Sequence, residues 1–376
     1  MNMLQAYQKP LAGDRIGVVF GTFAPMHQGH LEVILRAKKE CDGVIVVCCG
    51  NNTDDKGCAV GLNLTKRYQY AREFFKDDDL VAVYAVHDPG ENVYSLENWS
   101  PWMKTFETDV WSVAVKNKDA HTVWYVGEPI YAADLISLGY ETVLLNRKLN
   151  PISATQIRQK PLKHWDKIVP TFRRHFSHNI LIIGTASEGK TNLVNDLARY
   201  FGTSHAHEWP RDYMEKYCVL DPDLTALDFC EFLIGQYRHT MEQIDSPANR
   251  GIFFCDTDAL VTNMYAAKYA YDKDCDMTPG HYLGLVSSLA EAIIHGTKWN
   301  HIFFLMPEAS FEDDHARYMA HSDLECRRSM CQDLMLDASC YYTPDMITYL
   351  PGSDYKGNFD AVVKYVQEVI EHEESR

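Results

Sequence analysis

Short, almost wholly apolar runs recur along this chain, separated by amphipathic stretches. The first run, residues 16–20, stops at Gly21, and a helical pattern follows over 29–41. Asp42-Gly43 then resets the chain into a second apolar run, 44–49. That is strand, loop, helix, strand within the length of one βαβ unit. Strand-like runs return at 81–86, 122–126 and 142–145, with helical stretches at 66–75 and 132–138. Strands apolar on both faces, alternating with helices, predict a buried parallel sheet.

Between residues 160 and 179 the texture changes. This stretch is rich in Lys, Arg and His and carries Pro161 and Pro170. It precedes a fresh apolar run at 180–183, a helical pattern at 190–201, a long one at 224–244 and another apolar run at 252–255. Apolar runs at 302–306 and 347–350 and a terminal helix over 360–374 complete the pattern. The pattern predicts an α/β protein of two parallel-sheet domains, residues 1–170 and 171–376, with a linker at roughly 160–178.

Composition narrows the function. A chain of 376 residues, 46% hydrophobic and 23% charged, has the length of two domains and enough apolar residues for a sizeable core. A net charge of −16 argues against bulk attraction to nucleic acid or an anionic membrane, but not against phosphates held by a few local groups. No apolar run is long enough to span a bilayer, and residues 1–10 are polar, unlike a secretory leader. The eleven cysteines, an odd number without paired Cys-x-x-Cys motifs, read as reduced thiols of a cytoplasmic protein.

Two constellations carry chemistry. Gly21-Thr-Phe-Ala-Pro-Met-His27-Gln-Gly-His30 sits where the first strand gives way to the first helix. In an open parallel sheet that turn faces the ligand crevice, and a helix N-terminus there attracts phosphate. His27 and His30, one helical turn apart, can face one phosphate, and Gly29 leaves room for a nucleotide against the backbone. The segment resembles the T-x-F-x-P-x-H-x-G-H signature of the nucleotidylyltransferase superfamily, with Thr22 and Phe23 at its start. A second signature of that superfamily, I-S-x-T-x-I-R, is matched by Ile152-Ser153-Ala-Thr155-Gln-Ile-Arg158. The resemblance implies a Rossmann-like domain in which an attacking phosphate displaces pyrophosphate from the α-phosphorus of ATP. Thr22, His27 and His30 would serve the α-phosphate, and Ser153, Thr155 and Arg158 the pyrophosphate portion. Ser153 also reads as a helix N-cap.

The second constellation is Gly184-Thr-Ala-Ser187-Glu-Gly189-Lys190-Thr191, a complete G-x-x-x-x-G-K-T between an apolar strand and a helix. Gly184, Ser187 and Gly189 would shape a cradle of backbone N–H groups, Lys190 would reach the β- and γ-phosphates, and Thr191 would ligate Mg²⁺. The strand at 252–255 ends at Asp256-Thr-Asp258, so either acid can be the Walker-B-like magnesium ligand or a base. Beyond it, Asp313, Asp314 and Arg317 precede a mixed-charge stretch with Arg327 and Arg328. An arginine-bearing lid and a solvated helix face both fit that stretch.

A nucleotidylyltransferase followed by a P-loop kinase resembles the NadR family, which joins nicotinamide-nucleotide adenylyltransferase to ribosylnicotinamide kinase. Tyr125-Val-Gly-Glu128, the run 152–158 with Pro161-Leu-Lys-His-Trp165-Asp, and Phe254-Cys-Asp256-Thr-Asp258 carry the resemblance. So does Glu208-Trp209-Pro-Arg211-Asp-Tyr213, similar to a Glu-Tyr-x-Arg-Glu-like kinase segment. The resemblance implies a kinase that makes nicotinamide mononucleotide from nicotinamide riboside and ATP, and a first domain that converts the mononucleotide to NAD. It implies Lys190, Asp256 and Arg317 as catalytic groups of the kinase, and Glu208, Arg211 and Asp258 as substrate contacts. Trp99, Trp102 and Trp209 are candidate contacts of the cationic nicotinamide ring. The expected partners are small molecules, not nucleic acid or membrane, with homo-oligomerisation left open.

Two departures stand out. The family's W-x-x-D-G-x-R segment is Phe311-Glu-Asp-Asp314-His-Ala-Arg317 here, and about fifteen residues before the first strand leave no room for the helix-turn-helix domain of longer members. The motifs alone leave open another adenylyltransferase, such as a phosphopantetheine type, fused to a different kinase. They also leave open a sensor of NAD and ATP with little turnover.

Overall fold

The computed structural model describes residues 8–53, 55–87, 96–145, 151–272, 278–308 and 323–375. It divides into two compact units at Phe176 and Ser177.

The first unit runs β1 Arg15–Gly21, α1 Gln28–Glu40, β2 Gly43–Gly50, α2 Leu64–Phe74, β3 Val81–His87 and α3 Leu96–Thr105. The last helix continues through a π-helical turn at Phe106–Trp111 into Ser112–Ala114. Then come β4 His121–Val126, α4 Pro129–Ser137, β5 Glu141–Leu144, α5 Ala154–Gln159 and α6 Pro170–Arg173. The strands pair in parallel, in the order β3-β2-β1-β4-β5. Alternation explains why β2 is apolar throughout. Val44, Val46 and Cys48 enter the core that contains Ile34 and Ala37 of α1 and Tyr68 and Ala71 of α2. Ile45, Val47 and Cys49 enter a second core with Trp99, Trp102 and Phe106.

The second unit runs β6 His178–Gly184, α7 Lys190–Phe201, β7 His205–Ala206, α8 Trp209–Tyr217, α9 Ala226–Asp245, β8 Ile252–Asp256, α10 Ala259–Asp272 and α11 Pro279–Gly296. It continues with β9 His301–Met306, α12 Leu324–Tyr341, β10 Ile347–Pro351 and α13 Tyr355–Ser375. Its parallel sheet has the order β10-β9-β6-β8-β7. Leu181, Ile183, Phe253, Cys255, Ile302 and Phe304 face a core shared with α9 to α12.

In both sheets the motif-bearing strand, β1 or β6, is central, and the order reverses beside it. That is where ligands of doubly wound folds bind.

The structure corrects the sequence reading in places. Residues 160–178 are not a free linker: Trp165, Ile168, Val169 and Phe172 are buried in the core of the first unit. The hydrophobic pattern does not mark helices α3, α6, α8, α10, α11 and α12, and α13 begins five residues before position 360. Among the described residues no helix is long and apolar enough to cross a membrane, and the cysteines are free thiols.

Candidate active sites

The turn from β1 to α1 is built around its histidines. His27 is the N-cap of α1, and its Nδ1 accepts the Gly29 N–H at 3.2 Å. The His27 N–H donates in turn to His30 Nδ1 at 3.4 Å, so an imidazole stands at each position of a capping box. Each ring accepts at Nδ1, so as a neutral imidazole it carries its proton at Nε2, where it is a donor suited to a phosphate oxygen. The rings stack with centroids 3.8 Å apart, which fixes them side by side. Phe23 has φ +48, rare for an aromatic residue, and its buried ring meets His30 edge-on at 4.9 Å. Thr22 beside it is exposed.

The second motif comes to this turn from 130 residues downstream. Arg158 donates to the Ala24 carbonyl at 2.6 Å and to Thr155 Oγ1 at 3.0 Å. Burial lowers its guanidinium pKa, and nearby Arg67 adds to the effect against Asp55. Ser153 caps α5, accepting the Gln156 N–H at 3.2 Å. Further support comes from Val169 N–H on the Met26 carbonyl, 3.1 Å, and a bridge between His27 and Ile168. The pattern missed Asp55 and Arg67. Arg67 is fully buried, pairs with Asp55 and donates to the carbonyls of Leu62 and Cys49, holding the loop after β2. Burial opposes the Asp55 charge, but Arg67 and backbone N–H donors hold its carboxyl well below the usual range.

Trp99 and Trp102 lie in the second core of this unit. Both are buried: Trp99 packs against Phe20 and Tyr131, Trp102 packs against Phe20 and Trp124 and stacks on Phe106 at 5.7 Å, and Trp99 Nε1 donates to Asp134 at 3.1 Å. Both rings pack in the aromatic core behind the sheet.

In the second unit, β6 ends at Gly184, where a Cβ would lie 2.6 Å from the Leu305 carbonyl oxygen. Ser187 and Gly189 have φ +62 and +77, so the chain curls around its own N–H groups before α7 starts at Lys190. Lys190 Nζ donates to the Thr185 carbonyl at 2.7 Å. Thr191 Oγ1 donates to Asp256 Oδ2 at 2.5 Å. Asp256 is completely buried at the end of β8, the strand beside β6. Burial pushes its carboxyl up, and the charge of Glu208 pushes the same way, against Lys190, Thr191 and Arg211.

The two acids separate. Asp258 accepts the Leu260 N–H at 3.0 Å and Trp299 Nε1 at 3.1 Å, and burial raises it to about 6. It is tied to α10 and Trp299, whereas Asp256 is the acid that meets Thr191 of the phosphate-binding loop. Glu208 accepts from Arg211 Nε at 2.6 Å at the start of α8. Trp209 lies flat on α9, since a Cβ at Gly235 would be 2.2 Å from its ring, and its N–H donates to Gln236 Oε1. Arg317 and Asp314 lie outside the described residues. Arg327 belongs to no solvated face: it is buried against Glu188.

This is a chain with a nucleotidyltransferase-type α/β unit followed by a P-loop unit. Residues 18–160 match the family described as cytidylyltransferase-like, and residues 179–342 match the one described as AAA domain. The chain belongs to the NadR family: a crystal structure of a NadR protein in complex with NR superimposes with a TM-score of 0.81 at 32% identity, covering 95% of this chain and 97% of that one. A NadR structure in complex with NAD and AMP-PNP gives 0.78 at the same identity and coverage. The trifunctional NAD biosynthesis/regulator protein NadR of Salmonella typhimurium is 27% identical over 96% of this chain and 85% of its own length. Its Escherichia coli namesake is 29% identical over 69% of this chain and 64% of its own length.

Proposed function

We propose that the chain makes NAD in two steps. The second unit transfers the γ-phosphoryl group of ATP to the 5′-hydroxyl of nicotinamide riboside, giving nicotinamide mononucleotide and ADP. In the first unit the phosphate of the mononucleotide attacks the α-phosphorus of a second ATP, the bond to pyrophosphate breaks, and NAD is formed. Neither step needs a protein nucleophile, so the chain's contribution is position and charge.

In the first step the N–H groups of 184–191 hold the β- and γ-phosphates, and Lys190 moves from the Thr185 carbonyl to a phosphate oxygen. Thr191 and Asp256 offer the hard oxygen donors that suit Mg²⁺, and the buried carboxylate beside Glu208 calls for a cation. Bound there, Mg²⁺ supplies positive charge against the phosphate oxygens. In the second step the Nε2–H groups of His27 and His30 stabilise charge on the α-phosphate. Arg158 braces the turn through Ala24 and offers its remaining donors to pyrophosphate oxygens. Such an enzyme, with free cysteines throughout its described residues, suits the reducing cytoplasm.

The near full-length similarity to a NadR protein in complex with NR carries this reading. The test is to incubate purified protein with nicotinamide riboside, ATP and Mg²⁺ and follow the products by chromatography. Nicotinamide mononucleotide should rise first and NAD after it. ATP binding without product would instead mark a sensor, and turnover of another phosphomonoester alone, such as phosphopantetheine, would reassign the first unit.

A further inference from the structure

Glu188 stands inside the phosphate-binding loop, between two residues of positive φ, yet its side chain is wholly buried. Its Oε1 accepts from Arg327 NH1 at 2.5 Å, and Arg327 itself is 2% exposed. The same NH1 donates to the Ala186 carbonyl at 3.4 Å, so one guanidinium grips the loop at a side chain and at its backbone. The other carboxylate oxygen accepts the Glu308 N–H at 3.4 Å. Gly352 closes the remaining side: a Cβ there would lie 2.1 Å from Glu188 Oε2. The carboxylate is thus enclosed by groups that follow β9 and β10 and by the first turn of α12, none of which belongs to the loop.

We infer that Glu188 and Arg327 are a positioning pair for phosphoryl transfer, holding the phosphate-binding loop in its working shape. The inference rests on the kinase reading given above. Its physical basis is that backbone N–H groups act on a transferring phosphoryl group only when aimed before it arrives. Ser187 and Gly189 supply the curl, but those conformations need support from outside the loop. A buried ion pair gives that support with directional bonds, and removing one partner leaves the other charged and buried. Neither residue touches substrate in this account.

The test compares wild type with Glu188→Gln, Arg327→Lys, Arg327→Gln and the double variant Glu188→Gln/Arg327→Gln. Three quantities are read: kinase kcat and KM, binding of AMP-PNP, and the melting temperature. Glu188→Gln should lower kinase kcat about 30- to 100-fold, the scale of a small misplacement of phosphate-positioning groups. KM for nicotinamide riboside should stay within about twofold. Arg327→Lys, which keeps the charge but loses the planar fork, should retain more activity than Glu188→Gln. The double variant should be no worse than about threefold below the single, because the two side chains act as a unit.

A fall in melting temperature with kcat and AMP-PNP binding within twofold of wild type would overturn the inference and leave the pair as fold packing. So would additive losses in the double variant. Should Glu188→Gln fail to fold, Arg327→Lys decides alone: wild-type kcat in that variant counts against the pair, and a loss of kcat with a native melting temperature supports it. Wild-type protein that binds AMP-PNP but phosphorylates no nicotinamide riboside would refute the kinase reading itself. AMP-PNP binding then still tests the pair, since a loosened loop must weaken it.

Discussion

The turns at 21–30 and 184–191 do similar work by different means. Both leave the central strand of a five-stranded parallel sheet and enter a helix. The second is curled largely by its own backbone, through Ser187 and Gly189, with N–H groups as ligands. The first spends the His27 and Gly29 N–H groups on imidazole nitrogens, so in the function proposed above its phosphate donors are side chains. It is braced from elsewhere, by Arg158 on Ala24, Val169 on Met26 and Ile168 on His27. A backbone cradle wraps a terminal phosphate chain from several sides. Side-chain donors on a braced turn reach one phosphorus between a nucleoside and a leaving group. The difference teaches that a local motif can set the curl where the backbone is the ligand, while distant contacts hold each turn in place: Arg327 on Glu188 in the second, Arg158 on Ala24 in the first.

The comparison breaks most sharply if the two sites are not independent. Lys190→Ala should lower kinase turnover by about 10²–10³-fold, the scale for one preorganised charge-stabilising group, with NAD synthesis from supplied mononucleotide within twofold of wild type. Equal loss of both activities in a folded protein would show one shared site.

His30→Ala is the mirror experiment. If its Nε2–H acts on charge that develops during displacement, kcat for NAD synthesis should fall at least about a hundredfold with little change in KM, and the kinase should be untouched. A raised KM for ATP at unchanged kcat would make His30 a binding residue only.

Arg158→Lys sharpens the bracing argument. The lysine keeps the charge but cannot bond Ala24 and Thr155 while also meeting pyrophosphate, so kcat/KM for NAD synthesis should fall about tenfold. No change would mean that Ala24 needs no brace.

The smallest effect lies away from both turns. His178 begins β6 and contacts Tyr365, and burial, then Lys298 and His301, lower its pKa to about 4. The unfolded chain takes up a proton there below about pH 6.5 and the folded chain does not, so stability of the second unit falls as pH drops from about 6.5 to 4. The loss is at most about 3 kcal/mol. His178→Gln should flatten the melting temperature over that range and leave both activities at neutral pH unchanged. A pH profile identical to wild type would remove His178 as the cause.

How far the sequence reaches depends on the range of the interaction. Strands β1 and β2 were legible because burial on both faces leaves 16–20 and 44–49 almost purely apolar. Helix α12 was not, since Arg327 interrupts the buried face of Met330, Cys331, Leu334 and Ala338, and the reason for Arg327 lies at Glu188, 139 residues away. The packing of Trp99 and Trp102 was hidden for the same reason. A tryptophan beside a polar stretch reads alike as ligand contact or core until Phe20, Phe106 and Trp124 are folded around it.

By itself the sequence determined the two phosphate-binding turns, the parallel sheets and the NadR resemblance, all local facts of spacing, periodicity and backbone preference. The tertiary structure alone separated Asp256 from Asp258, because only strand pairing sets Asp256 opposite Ile182 and within reach of Thr191, while Trp299 donates to Asp258. It also decided that Trp165, Ile168, Val169 and Phe172 are core, that Arg158 braces the first turn, and that Glu188 has a partner. Each depends on groups far apart in the chain whose bonds form only once the intervening chain has folded.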